Sequence, residues 1–128
     1  MADRNREEIL WAAGWFEGEG CFCKSMKFYP TASAVTTDKD VLERFVKAVG
    51  IKVGIFRRKQ DKRKATYKQA YQVTYSGMEA FQALGTMLWP GLGKRRREKF
   101  KELLLLARAH GVGSHKTRWA EYWARKEA

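Results

Sequence analysis

The segment Trp11-Ala12-Ala13-Gly14-Trp15-Phe16-Glu17-Gly18-Glu19-Gly20-Cys21-Phe22 constrains this chain more than any other. It predicts a helix from about Arg6 to Gly18, opened by a capping box of Asn5 and Glu8 and ended by Gly18 and Gly20. Ile9, Leu10, Ala13, Gly14 and Phe16 are available for packing. Gly14 and Gly18 have small-xxx-small spacing, so two backbones can approach closely along that face. A helix of this kind packs on a copy of itself or on an internal twin. Its acidic end, Glu17-Gly18-Glu19-Gly20, is then duplicated across a two-fold axis. Carboxylates meeting there repel unless a divalent cation lies between them, and hard cations such as Mg²⁺ take oxygen from carboxylates, exposed carbonyls and phosphate.

Downstream, the pattern predicts a hairpin of Cys21–Tyr29 and Thr31–Thr37, interrupted at Pro30. Phe22, Met26 and Phe28 lie on one face of the first strand, and Cys23, Ser25 and Lys27 on the other. Thr37 or Asp38 caps a second helix with Val41, Leu42, Phe45, Val46 and Val49 on one stripe and Gly50 as its stop. A third strand, Ile51–Lys59, and a basic loop, Gln60–Ala65, lead to a fourth strand, Thr66–Tyr75. There Tyr71, Val73 and Tyr75 face one way, and Lys68, Ala70, Gln72 and Thr74 the other. Ser76-Gly77-Met78-Glu79 reads as a capping box for a third helix ending before Pro90. A helix from about Gly93 to Ala109 follows, then a short terminal helix, Lys116–Lys126, carrying Trp119 and Trp123. The order is that of an α+β fold with an antiparallel sheet. A length of 128 residues fits one domain, with a core at about 5–110 and a helical extension at 111–128.

Charge points to a polyanionic partner. The chain has 26 Lys+Arg against 14 Asp+Glu, a net charge of +12, and a surface this basic gains affinity by releasing counterions from phosphates. Eight of the bases (Lys52, Arg57, Arg58, Lys59, Lys62, Arg63, Lys64 and Lys68) fall within one hairpin that has a single acid, Asp61. A twisted β-ribbon of this charge can enter a major groove. Arg57 and Lys59 alternate onto one face, joined by Lys68, Gln72 and Thr74, with Cys23, Ser25 and Lys27 as the matching set in the first hairpin. Arg57 and Gln72 are candidate base readers, and Lys62, Arg63 and Lys64 candidate phosphate contacts. A second basic cluster is Lys94-Arg95-Arg96-Arg97 with Lys99 and Lys101.

Cys21 and Cys23 share a strand face, too local for a useful disulfide, and read as a reduced pair. No run of about 18 apolar residues exists and the N-terminus lacks an apolar signal core, so a soluble, intracellular protein is expected. His110 and His115 have no partners at metal-ligand spacing, which counts against a zinc-dependent nuclease.

The run Ala12–Gly20 resembles the nine-residue LAGLIDADG motif, in the variant ending acid-Gly-acid-Gly, and the element order resembles that family's αββαββα core with a four-stranded antiparallel sheet. The resemblance implies an intron-associated homing endonuclease that cuts both strands of a long, partly palindromic DNA site using Mg²⁺ or another divalent cation. One motif per chain implies a homodimer, with Ala13, Gly14, Glu17 and Gly18 at the interface. It places Glu19 on the metal-binding acid, the Gly18 carbonyl on a backbone metal ligand and Glu17 on a structural acid. Thr37 stands where the family often has a pocket Gln, and Lys94 or Arg95 matches its pocket Lys. It also assigns the open sheet face to DNA. Neither a membrane nor a small-molecule substrate is implied. The alternatives are a non-cleaving binder on the same scaffold, such as an RNA-splicing maturase or a DNA-binding regulator, and a basic protein without sequence preference.

Overall fold

Asn5 opens the first helix by accepting a hydrogen bond from the Glu7 amide at 2.9 Å. The computed structural model describes residues 5–58 and 68–112. Within them, helix α1 (Arg6–Glu19) is followed by strands β1 (Gly20–Ser25) and β2 (Tyr29–Thr36), then by helix α2 (Lys39–Val49). Strands β3 (Phe56–Arg57) and β4 (Tyr71–Ser76) come next, and helices α3 (Met78–Leu88) and α4 (Lys94–Ala109) complete the order, joined by a 3-10 turn at Trp89–Gly91. The sheet is antiparallel in the order β1-β2-β4-β3. This is the expected α+β architecture.

The helices cover one sheet face. Phe22 of β1, Pro30, Ala32 and Ala34 of β2, and Val73 and Tyr75 of β4 are buried under them, as period-two alternation requires. Phe16, Phe22, Phe81 and Phe100 form a continuous aromatic seam with ring centroids 4.9–5.5 Å apart along it. A Cβ on Gly20 would overlap the Phe16 ring, so the glycine that ends α1 also lets this seam close over β1. Leu42, Phe45 and Val49 form the buried stripe of α2, and Gly50 stops that helix in the left-handed region at φ 74°.

Several expectations need correction. Glu8 does not complete a capping box at Asn5. It accepts two hydrogen bonds from Arg44 of α2, at 2.8 and 3.1 Å, and Arg44 also lies 3.8 Å from the centre of the Trp11 ring. A bidentate guanidinium is the stronger partner. Nor does Ser76 cap α3: it ends β4, paired with Thr31, and the capping position falls on Gly77.

β1 ends at Ser25, four residues earlier than expected, because Met26 and Lys27 turn with φ of 48° and 76°. Lys27 therefore sits in the turn rather than on a strand face, Met26 is exposed, and Phe28 stacks on His110 with centroids 4.5 Å apart. Pro30 does not interrupt β2. Pairing with β4 begins only at Thr31, so the missing N–H of Pro30 costs no ladder bond on that side.

The third strand is shorter than expected among the described residues. Ile51, Val53 and Ile55 are half-buried against the core in an extended lead-in, and pairing with β4 is confined to Phe56 and Arg57. Lys59, Lys62, Arg63, Lys64, the start of the predicted fourth strand and the predicted terminal helix with Trp119 and Trp123 lie outside the described residues.

Candidate active site and nucleic-acid interface

The end of α1 is electrostatically unusual. A helix C-terminus is the negative pole of the backbone dipole and favours cations. Here the last turn carries Glu17 and Glu19 and no base. The two acids have different fates.

Glu17 is held inside the protomer. Its Oε1 accepts from the Gly93 amide at 2.7 Å, and its backbone carbonyl accepts from Arg96 Nη2 at 3.0 Å. The Gly93 amide, at the capping position of α4, is one of that helix's orphan donors, and Glu17 satisfies it as the carboxylate of a capping box does, placing its charge at the helix's positive pole. Glu19, the final residue of α1, is exposed and makes no hydrogen bond or ion pair among the described residues. The result is an uncompensated carboxylate at a negative helix pole, next to the Gly18 carbonyl.

The sheet register gathers other predicted residues at this end. Gly20 pairs with Ala34 and Thr36 with Tyr71, so the start of β1, the end of β2 and the start of β4 meet where α1 terminates. Thr37 is exposed just beyond β2, at the same end. The Glu17–Gly93 bond brings the start of α4 there too.

Of the four bases in the first turn of α4, Arg96 is committed to Glu17, and Arg97 donates to the Trp89 and Pro90 carbonyls at 3.0 and 3.3 Å. Lys94 points to solvent, 4.0 Å from Glu98. Arg95 has no hydrogen bond or ion pair among the described residues and lines an open groove with Glu17, Phe22, Arg96, Glu98, Lys99 and Glu102. Sequence reasoning selected Lys94 and Arg95 from this run, and the other two arginines prove to be tied to the protein itself.

Ala13 is not where it was expected. It is fully buried, and a Cβ added to Gly91 would lie 2.5 Å from its Cβ, so it packs within the protomer. Gly14 and Gly18 differ: a Cβ on either meets nothing within 4 Å. Among the described residues their helix face is uncovered.

Among the described residues the second face of the sheet is open. Cross-strand partners project to the same side, giving the rows Cys21–Ser33–Thr74, Cys23–Thr31–Ser76 and Val35–Gln72–Phe56. Ser25 continues this face. Both cysteines are free thiols, and burial pushes the Cys23 thiol up from its ordinary value. Arg57 pairs with Tyr71, so it projects to the side opposite Gln72, and Phe56 takes the place expected for it. Arg58, whose amide bonds to the Ala70 carbonyl at 2.9 Å, carries the ladder one step further. Lys68 is exposed, two residues before Ala70. The face is thus neutral along its paired strands, with the bases at its margin. Sequence alternation missed this because it assigned parity to Arg57 from a strand start that the pairing does not share.

Residues 7–87, more than half of the chain, match the family profile described as a LAGLIDADG-like domain. The chain belongs to the LAGLIDADG family. No curated protein matches it by sequence.

Solved structures of LAGLIDADG homing endonucleases share the fold. The homing endonuclease I-CvuI in complex with its target is 16% identical, with a TM-score of 0.56 over 78% of this chain and 65% of that one. The archaeal intron-encoded homing endonuclease I-Vdi141I complexed with DNA is 20% identical, with a TM-score of 0.58 over 75% and 65%. The group I intron-encoded homing endonuclease I-CeuI complexed with DNA is 15% identical, with a TM-score of 0.61 over 85% and 59%. The chain therefore spans at most about two-thirds of the length of these relatives. At such identities the likeness concerns the fold. Among the described residues no helix is long and apolar enough to cross a membrane, and no group of three His, Cys, Asp or Glu side chains assembles for a metal.

Proposed function

We propose that this LAGLIDADG chain is a site-specific double-strand DNA endonuclease that acts inside the cell as a homodimer, with residues 1–128 forming one unit of the pair. The observation that carries the reading is Glu19, a solvent-facing carboxylate without a partner among the described residues at the negative pole of α1. The DNA complexes of I-CvuI and I-Vdi141I support the polyanion as DNA, and I-CvuI complexes with calcium or magnesium support a divalent cation.

Glu19 and the Gly18 carbonyl are hard oxygen donors and fit Mg²⁺, which wants about six such ligands. One protomer supplies too few, so the remainder come from the partner's equivalent residues, from phosphate and from water. Such a cation supplies Lewis-acid polarisation of the phosphoryl oxygens and eases ionisation of the attacking water. The chain's own residues do the rest. Arg95, with Lys94 beside it, offsets charge on the scissile phosphate, and Thr37 offers a hydroxyl to order water at the same end. The open sheet face carries Cys23, Ser25, Gln72 and Thr74 to base edges. Lys27, Arg57, Lys59, Lys62, Arg63, Lys64 and Lys68 contact phosphates around it.

The dimer reading rests on Gly14 and Gly18. A glycine inside a helix costs about 1 kcal/mol relative to alanine. No described residue of the protomer occupies the space beside either one. Close approach by a second α1 gives these glycines a use, with Glu17 kept at the interface's edge by its own α4.

The test is Glu19→Gln, with cleavage selected from a randomised duplex library with and without Mg²⁺. The parent cuts a defined sequence only with the metal. The variant keeps fold and DNA affinity and loses cleavage by at least 100-fold, on the order of a lost charge-stabilising group. A variant that cuts as the parent does removes Glu19 from the chemistry. A parent that binds a defined sequence but fails to cut it with any divalent cation belongs instead to the non-cleaving maturase or regulator class.

A further inference from the structure

The register of the sheet sets three side chains from distant parts of the sequence side by side. Val35 of β2 is the direct partner of Gln72 in β4, and Gln72 is the direct partner of Phe56 in β3. All three project onto the open face. Phe56 is 49% exposed, although a large apolar ring on a strand ordinarily seeks cover. Gln72 is half-buried between its neighbours, and its Nε2 donates to the Thr74 hydroxyl at 3.2 Å. That bond fixes the amide plane and leaves its second N–H and its Oε1 available.

An amide flanked by two apolar groups has a definite complement in a DNA groove. Adenine presents an acceptor at N7 and a donor at N6, which one glutamine amide satisfies together, and its paired thymine presents a methyl group that prefers apolar contact. Guanine presents two acceptors, N7 and O6, and cytosine a donor without a methyl. Against G·C, the amide oxygen meets a guanine acceptor and the apolar flank covers the cytosine donor, leaving it unpaired.

We propose that Gln72, flanked by Val35 and Phe56, reads an A·T base pair in each half of the DNA target. Gln72 bonds the adenine edge, and the apolar flank contacts the thymine methyl. This rests on the DNA-binding reading of the open face and goes beyond it by naming the base pair and its readers. Arg57 projects to the other side and takes no part.

The experiment selects bound duplexes from a randomised library, with calcium replacing magnesium, for the parent, Gln72→Arg, Gln72→Ala and Phe56→Ser. The parent consensus contains A·T at a symmetry-related position in each half-site. Gln72→Arg converts that position to G·C, since arginine matches the two guanine acceptors. Gln72→Ala lowers discrimination there by roughly 5- to 150-fold, the range of one bidentate contact. Replacing the thymine with deoxyuridine weakens the parent about 4-fold, the effect of one buried methyl, and leaves Phe56→Ser less affected. Phe56→Ser lies exposed on an edge strand and tests the row without disturbing β4. If the Gln72 variants and Phe56→Ser select the parent consensus unchanged at every position, the proposal is overturned while sequence-specific DNA binding stands. If the parent enriches no consensus, both fall.

Discussion

The carboxylate of Glu17 accepts the amide hydrogen of Gly93 at 2.7 Å, joining the end of α1 to the start of α4 across 76 residues of sequence. The contact resolves two local problems at once. It gives an acid at the negative pole of one helix a place at the positive pole of another, and it satisfies an orphan amide at the start of that helix. It also separates the two acids of the motif, leaving Glu19 alone facing solvent.

Glu17→Ala should destabilise the fold by about 1 kcal/mol, the usual cost of a lost helix cap. Glu17→Gln should recover part of this, because its amide oxygen still accepts from Gly93. Urea unfolding measures both. A Glu17→Ala chain as stable as the parent would show that the cap is dispensable.

Gly14→Ala should leave the protomer as stable or up to about 1 kcal/mol more stable, because helix propensity rises and a Cβ there meets nothing within 4 Å. Gly14→Leu should also fold, and should shift the chain from dimer to monomer in sedimentation at micromolar concentration. Full dimerisation of Gly14→Leu would place the interface elsewhere.

Tyr75→Phe should be neutral or stabilising by about 1 kcal/mol. The Tyr75 hydroxyl is buried without a hydrogen-bond partner among the described residues, and an unsatisfied polar group in the core is a cost. Burial also pushes the phenol well above its ordinary value of 10.0. Above that pH the unfolded chain releases the proton that the folded chain retains, so this residue removes stability as pH rises. Thermal melts from pH 8 to 11 should show a shallower alkaline decline for Tyr75→Phe.

At the acid end the sign reverses. The hydrogen bonds from Arg44 hold the Glu8 carboxyl below its ordinary value of 4.5. Its contribution is present above that pH and is lost as pH falls through its lowered range. Melting temperatures of Glu8→Gln and the parent should therefore differ at pH 7 and converge toward pH 2. A gap that persists in acid would assign the difference to something other than this ion pair.

Much of this was legible in the residues. The helix stripe Leu42, Phe45 and Val49 and the alternation Val73, Tyr75 are local periodicities that tertiary packing only confirms. The family was legible because the residues around Glu19 spell a motif. Ala13 was not, because nothing local shows that Gly91 will seat against it. Arg57 and Phe56 exchanged faces because parity belongs to the pairing with β4, and a pairing partner lies outside any local window. Glu8 read as a cap for the same reason: its stronger partner, Arg44, is 36 residues away.

The neutral open face has an evolutionary consequence. On the proposed reading, grip comes from bases at the margin and displaces counterions, so its strength follows salt. Recognition comes from small uncharged side chains, set in rows by strands whose backbone bonds do not depend on them. A change at Ser33, Thr74 or Gln72 then alters which sequence is preferred without altering how many ions are released. Such a chain can migrate to a new genomic address in single steps, holding on to DNA throughout while its preference drifts.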